Sequence, residues 1–154
     1  MLCLEGAQAG LSWIKILKKR ENYRLAFDQF DDEKMANYDD QKINDLLSNA
    51  GLDRNKLKNN AFIKNAQAYL DIQSSLGSFD AYIWQFVDGN PIINHYRTTE
   101  EIPAKTAISI KMAWDLKNRG FHFVGSTICY AYMQAVGMVN DHIKKCYRWK
   151  ELCP

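Results

Sequence analysis

An all-α domain is what this sequence predicts, and three observations carry it. Apolar residues recur at helical spacing along nearly the whole chain. Several of these segments open on residues that cap helices and close on glycine, such as Asp39 with Gly51. The two stretches with strand character, Ile92-Ile93-Asn94 and Phe121-His122-Phe123-Val124, are too short to build a sheet. At 154 residues and 47% hydrophobic content, the chain is long enough to bury one core. With no repeat, low-complexity tract or linker, it is expected to form a single domain over residues 1–154.

Ser12 can cap a helix whose apolar face carries Trp13, Ile16, Leu17 and later Phe27. Asp31-Asp32-Glu33 puts acid at the next helix start, where the helix dipole favours it. Asp39 caps a helix with Ile43, Leu46 and Leu47, stopped by Gly51. A long helix from Arg54 to Ser74 carries Leu57, Ala61, Ala68 and Leu70, and Gly77 ends it. Ser78 then caps a short aromatic helix with Phe79, Tyr82, Ile83 and Phe86. Asp88-Gly89-Asn90-Pro91 is a turn. The piece from Ile92 to Lys105 is the least regular, and Thr106 to Arg119 is helical again, with Ile110, Ala113, Trp114 and Lys117 along one side. Gly120 ends that helix, Phe123-Val124-Gly125 turns the chain, and Ser126 or Thr127 opens a second helix that runs to Gly137.

The net charge of +2 excludes a polycation. Nucleic-acid contact would have to come from clusters such as Lys18-Lys19-Arg20, Lys117-Asn118-Arg119 and Lys144-Lys145. No apolar run approaches a membrane span, and no signal-peptide pattern opens the chain, so a cytoplasmic protein is expected. The cysteines Cys3, Cys129, Cys146 and Cys153 include no C-x-x-C pair. In a cytosolic chain they read as buried thiols or metal ligands rather than disulfides.

Three places carry candidate chemistry. The stretch Leu2–Trp13 sets Glu5 among small and apolar residues, with Gly6 and Gly10 permitting close approach of another backbone or a flat ligand. Trp13 supplies a stacking face, so an aromatic and cationic ligand would suit the stretch. An ordinary helix end with an exposed Glu and a core Trp accounts for the same residues. Around Gly120–Ser126, the hairpin amides and the following helix N-terminus converge on a point suited to a DNA phosphate, with Lys117 and Arg119 near enough to assist. A plain antiparallel helix pair explains that pattern equally well. Finally, His142 and Cys146 lie four apart, so on a helix they would share a face and could hold one metal ion.

Taken in order and spacing, the motifs resemble the 3-methyladenine DNA glycosylase I family, a branch of the helix-hairpin-helix glycosylases. The resemblance runs through Leu4-Glu5-Gly6-Ala7-Gln8-Ala9-Gly10-Leu11-Ser12-Trp13 and Leu17-Lys18-Lys19-Arg20-Glu21-Asn22-Tyr23-Arg24. It continues through Asn65-Ala66, Trp84-Gln85-Phe86-Val87, the block from Arg119 to Tyr130, and Gly137-Met138-Val139-Asn140-Asp141-His142. The resemblance implies removal of 3-methyladenine from alkylated double-stranded DNA by base flipping. It gives Glu5 the contact to the flipped base and Trp13 the stacking face. Gly10 and Leu11 would probe the gap left in the duplex, and Phe123, Val124, Gly125, Ser126 and Thr127 would hold phosphate. His142 and Cys146 would be half of a structural zinc site. Asp141 lies where many relatives in the superfamily keep a water-activating aspartate, although this family is not thought to rely on it. No lysine matches a bifunctional nucleophile, so base release without strand cleavage is expected.

The resemblance also implies departures. The chain opens only four residues before Glu5, and the family's N-terminal segment, with a Cys and a His for zinc and aromatic residues for the pocket, is not in it. A pocket open on one side, a half-complete metal site and exposed apolar surface are the expected consequences. A non-catalytic DNA-binding fragment is the alternative function. Neither Cys3, His95 nor Cys153 has the placement of a substitute ligand. Asp53 and Asn59 stand where apolar side chains are expected, and the tail Tyr147–Pro154 is expected to carry no function.

Overall fold

The computed structural model describes residues 1–153. Its helices are α1 (Leu2–Ala7), α2 (Trp13–Ala26), α3 (Asp32–Ala36), α4 (Asp40–Ser48), α5 (Lys56–Leu76), α6 (Phe79–Trp84), α7 (Ala107–Asn118), α8 (Ser126–Ala135) and α9 (Tyr147–Glu151). The all-α expectation holds apart from one detail. Ile92–Ile93 (β1) and Val139–Asn140 (β2) form a two-residue parallel ladder that ties the irregular segment to the end of the chain.

Local chemistry fixes most helix starts. Asp31, Asp39, Asn55 and Ser78 each accept a first-turn backbone N–H with the side chain. Thr106 and Ser109 form a reciprocal capping box on α7. Ser12 precedes α2 without making such a bond. Between α2 and α3, Asp28, Gln29 and Phe30 all take left-handed backbone angles. That costly turn is held by a hydrogen bond from Tyr38 to Asp28 and by Lys42 Nζ, 3.1 Å from the same carboxylate.

Two clusters of buried side chains share the interior. One gathers Leu4, Ala7, Ile16, Tyr23, Phe27, Met35, Leu46 and Leu52 around Phe62 and Ala66. Its centre is a stack in which the Phe27 and Phe62 rings lie 4.4 Å apart. The other builds α6, α7 and α8 around Ala68 and Ile72. Helix α5 therefore serves both clusters, the first with its middle turns and the second with the next.

Several expected core residues lie outside. Leu57 is 72% exposed, Trp114 67%, and Leu17 and Ile110 are also exposed. On α7 the buried face is Ser109, Met112, Ala113 and Leu116, so Ile110 and Trp114 point away from it. The periodicity was right and its phase was not, because alternate faces of α7 are nearly equally apolar. The second helix of the hairpin ends at Ala135 rather than Gly137. There Gly137, at φ +82°, closes a Schellman turn with Met138 N–H donating to the Met133 carbonyl at 2.9 Å. Asp53 and Asn59 also differ from each other. Asp53 accepts from Lys58 at 2.7 Å, whereas Asn59, 1% exposed, has neither side-chain atom partnered.

Candidate functional site

Glu5 sits on the last turn of α1, 4% exposed. The ordinary exposed glutamate of the plainer reading is thus not what the fold makes. Burial pushes its carboxyl above the usual range, and no side chain among the described residues hydrogen-bonds to it. A desolvated carboxylate without side-chain donors keeps its acceptor capacity free for a ligand. The chain leaves α1 through Gly10, whose φ of +76° needs glycine and whose missing Cβ faces open space. Leu11 and Trp13 follow, both half-buried against the first cluster.

The two glycines of this stretch therefore do different things. Gly6 is the one that admits another backbone. A Cβ there would lie 3.1 Å from the Phe123 carbonyl oxygen and 3.3 Å from the Phe123 Cβ. The residue next to Glu5 thus touches the turn that was expected, on separate grounds, to grip phosphate.

That turn is built as a hairpin. Gly120, at φ +92°, stops α7 with a Schellman pair, Phe121 N–H to the Leu116 carbonyl and Gly120 N–H to the Lys117 carbonyl, both 3.0 Å. Phe123 takes φ +55°. Phe121 and Val124 are buried, which anchors the hairpin on both sides of its tip. Gly125 caps α8 without a side chain, so the first-turn amides at Ser126 and Thr127 are left for an external acceptor. Of the two nearby cations, Arg119 is already engaged: its Nε lies 2.9 Å from Asp115, and its guanidinium covers the Tyr82 ring at 4.8 Å. Tyr82 donates to the same Asp115 oxygen at 2.6 Å. These bonds hold the Asp115 carboxyl below its usual range against the desolvation that opposes them. Lys117 alone of the pair stays exposed without an ion-pair partner among the described residues.

His142 and Cys146 do meet, with Sγ 3.8 Å from Nδ1, but not on a helix. The turn closed by Cys146 N–H to the Ile143 carbonyl brings them together, and α9 begins only afterwards. Two ligands on one tetrahedral zinc would stand about 3.6 Å apart given ordinary Zn–S and Zn–N bonds, so the pair fits half a site. No third His, Cys, Asp or Glu joins them among the described residues. Cys3 is no substitute, because burial pushes its thiol up and disfavours the thiolate a metal needs. The His95 ring is occupied otherwise, packing edge-on against Trp149 at 5.3 Å.

Asp141 is heavily engaged. Asn94 donates to one oxygen at 2.7 Å, and Tyr130 and Gln134 donate to the other at 2.6 and 2.8 Å. It joins three segments and has little acceptor capacity left for a water. The tail also does structural work: Trp149 Nε1 donates to the Asn94 carbonyl at 2.7 Å.

Two cavities of about 330 Å³ exist, and neither is lined by Glu5 or Trp13. The first is an apolar groove beside α1, lined by Leu2, Leu4, Phe30, Met35, Tyr69 and Phe79 among others. No cavity described brings Glu5 and Trp13 together. Sequence reasoning gave no role to Lys58 or Asn65. Lys58 Nζ donates to the Ala7 carbonyl at 3.0 Å, at the end of α1. Asn65 accepts from His122 N–H at 2.7 Å and donates to the His122 carbonyl at 3.1 Å. A signal was present: with Asn59 they are the polar residues among inner positions that are otherwise Ala61, Phe62, Ile63, Ala66, Ala68 and Ile72.

Known proteins resemble this chain over most of its length. A family model described as methyladenine glycosylase matches residues 1–149. DNA-3-methyladenine glycosylase 1 of Escherichia coli is 48% identical over 146 residues, covering 95% of this chain and 78% of that protein. DNA-3-methyladenine glycosylase of Haemophilus influenzae is 47% identical over 145 residues, with 94% and 78% covered. A crystal structure of 3-methyladenine DNA glycosylase I superposes with a TM-score of 0.92 at 49% identity, covering 95% of this chain and 80% of that one. A structure of the Staphylococcus aureus glycosylase, described as the basis of its 3-methyladenine recognition, gives a TM-score of 0.92 at 34% identity, with 95% and 78% covered.

Proposed function

The chain belongs to the methyladenine glycosylase family, and on that premise we propose how its residues carry out base-excision repair of 3-methyladenine. It is a DNA-3-methyladenine glycosylase, a hydrolase of the N-glycosyl bond. The observation that carries the residue assignment is the buried, donor-free carboxylate of Glu5, one residue from the hairpin contact at Gly6.

Methylation at N3 gives the base a positive charge and weakens its bond to the sugar. As that bond breaks, its electron pair neutralises the base, and water supplies the hydroxyl at the sugar carbon while its proton passes to solvent. The leaving base needs no strong general acid. It needs extraction from the helix, a π-face against its charge and an anionic hydrogen-bond acceptor. Trp13 provides the π-face and Glu5 the acceptor. Gly10 and Leu11 enter the gap in the duplex. The hairpin residues Phe123, Val124, Gly125, Ser126 and Thr127 hold the backbone of double-stranded DNA, with Lys117 as the free cation. All described lysines lack the role of a lyase nucleophile in this reading, and Lys58, the buried one, is spent on Ala7 and Asp53. The product is an abasic site with the strand intact.

His142 and Cys146 would supply two ligands to a zinc ion, which their spacing fits. A metal held there would be structural, bracing the turn before α9. Titrated with zinc, the chain should bind weakly, as two ligands would; tight stoichiometric binding would reveal ligands outside this pair.

The function is tested by release of 3-methyladenine from methylated duplex DNA. Glu5→Gln and Trp13→Ala should each slow release while leaving affinity for undamaged duplex intact. Unchanged release in both would overturn the assignment of the wall. Duplex binding by the unaltered chain with no release would favour the non-catalytic alternative.

A further inference from the structure

Resting on that reading, we infer that Lys58 and Asn65 are positioning residues that fix the acid wall at a set distance from the phosphate-binding hairpin. Both lie on one face of α5, seven residues and therefore two turns apart, about 10 Å along the axis. Lys58, 6% exposed, holds the Ala7 carbonyl and so the end of the helix that carries Glu5. Its charge is balanced by Asp53, whose own backbone N–H donates to the Tyr23 hydroxyl of α2 at 3.2 Å. The helix starting at Trp13 is thereby tied to the same point. Asn65, buried as well, holds the hairpin by both main-chain groups of His122.

Between these two anchors the seam is closed. Gly6 rests on Phe123, and the space bounded by Gly6, Ala7, Lys58, Asn65 and Phe123 amounts to about 10 Å³, scarcely one water. A seam that tight does not absorb a shift on one side; it passes it to the other. The reaction makes that useful. A flipped base must reach Glu5 while its phosphate is held by the hairpin, so the separation of the two determines whether the base arrives in register. A misplacement of about 1 Å can cost on the order of 100-fold in rate.

The separating experiment is Asn65→Asp. It keeps the shape and the acceptor for His122 N–H, but sets a carboxylate oxygen against the His122 carbonyl. Three quantities are measured on the folded protein: single-turnover release of 3-methyladenine from methylated duplex, affinity for free 3-methyladenine by tryptophan fluorescence, and affinity for undamaged duplex. Release should fall by roughly 10- to 100-fold, with both affinities held within about twofold, because neither wall is altered and only their registration changes. Should that variant fail to fold, Asn65→Ser severs the clamp without adding charge and carries the same expectation. Unchanged release in a folded variant overturns the proposal. So does a fall of release and both affinities by one common factor, which is what simple loss of folded protein produces. An unaltered chain that releases no base defeats the glycosylase reading itself, a result distinct from either.

Discussion

Two buried carboxylates in this molecule are built in opposite ways. Asp141 receives three side-chain donors from β1's flank and α8, which occupy most of its acceptor capacity. Glu5, buried as a residue, receives none from a side chain. Burying a carboxylate is costly unless it is hydrogen-bonded. Asp141 meets that condition and so strengthens the fold, while Glu5 does not and is tolerated at a cost. The position of an acid in the chain says little about which it is; Asp141 sits in the more suggestive place, after the hairpin, and is the structural one.

The largest expected effect follows from Asp141. Asp141→Ala strands the Asn94 amide, the Tyr130 hydroxyl and the Gln134 amide, and should cost about 3–5 kcal/mol in urea-induced unfolding. The loss belongs to stability: at a temperature where the variant remains folded, release of 3-methyladenine should be little changed. A stable variant with abolished release would reverse the roles given to the two acids.

Gly6→Ala comes next. The added methyl meets the Phe123 carbonyl at 3.1 Å, and since backbone is the obstacle, α1 and the hairpin must part. A cost of about 1–3 kcal/mol is expected, together with slower base release. Gly10→Ala, by contrast, meets no atom within 4 Å and strains only its own positive φ. If Gly6→Ala proved the milder of the two, the seam between α1 and the hairpin would not be tight.

What the sequence disclosed, and what it withheld, divides by distance along the chain. Caps at Asp31, Asp39, Ser78 and Thr106 act within three residues, so helix starts were legible. The hairpin was legible for the same reason, as was the pairing of His142 with Cys146, though a turn rather than a helix makes it. The clamps of Lys58 on Ala7 and Asn65 on His122 span 51 and 57 residues, and no local pattern encodes them. The phase of α7 was also hidden, since Trp114 is as apolar as the residues that face inward. Glu5's burial depends on α1 packing against α5 and the hairpin, which its neighbours in sequence do not determine.

Asn59 tests whether an unpartnered buried group is by itself a sign of function. Its amide atoms are sealed from solvent and unpartnered, whereas no oxygen of Glu5 is sealed in that way, and neither residue lines any of the three cavities described. Asn59→Leu, close in size, should stabilise the protein by about 1–2 kcal/mol, raising Tm by roughly 2–8 °C for a chain of this size, with base release unaffected. A loss of activity there would mean that the amide serves a ligand after all.

The smallest effect concerns Glu5 itself and depends on pH. Burial raises its folded-state pKa above that of an ordinary glutamate. Between the unfolded and folded values the native chain binds the extra proton, so stability falls as pH rises through that window. The contribution of the protonated acid is whole below the unfolded pKa and gone above the folded one. Glu5→Gln has no such proton to lose. The two proteins should therefore unfold at similar urea concentrations near pH 4, with the glutamine variant becoming the more stable by pH 7, while its release of the cationic base is slower throughout. Greater stability of the unaltered chain at pH 7 would mean that something donates to the carboxylate after all, and Glu5 would then resemble Asp141 rather than oppose it.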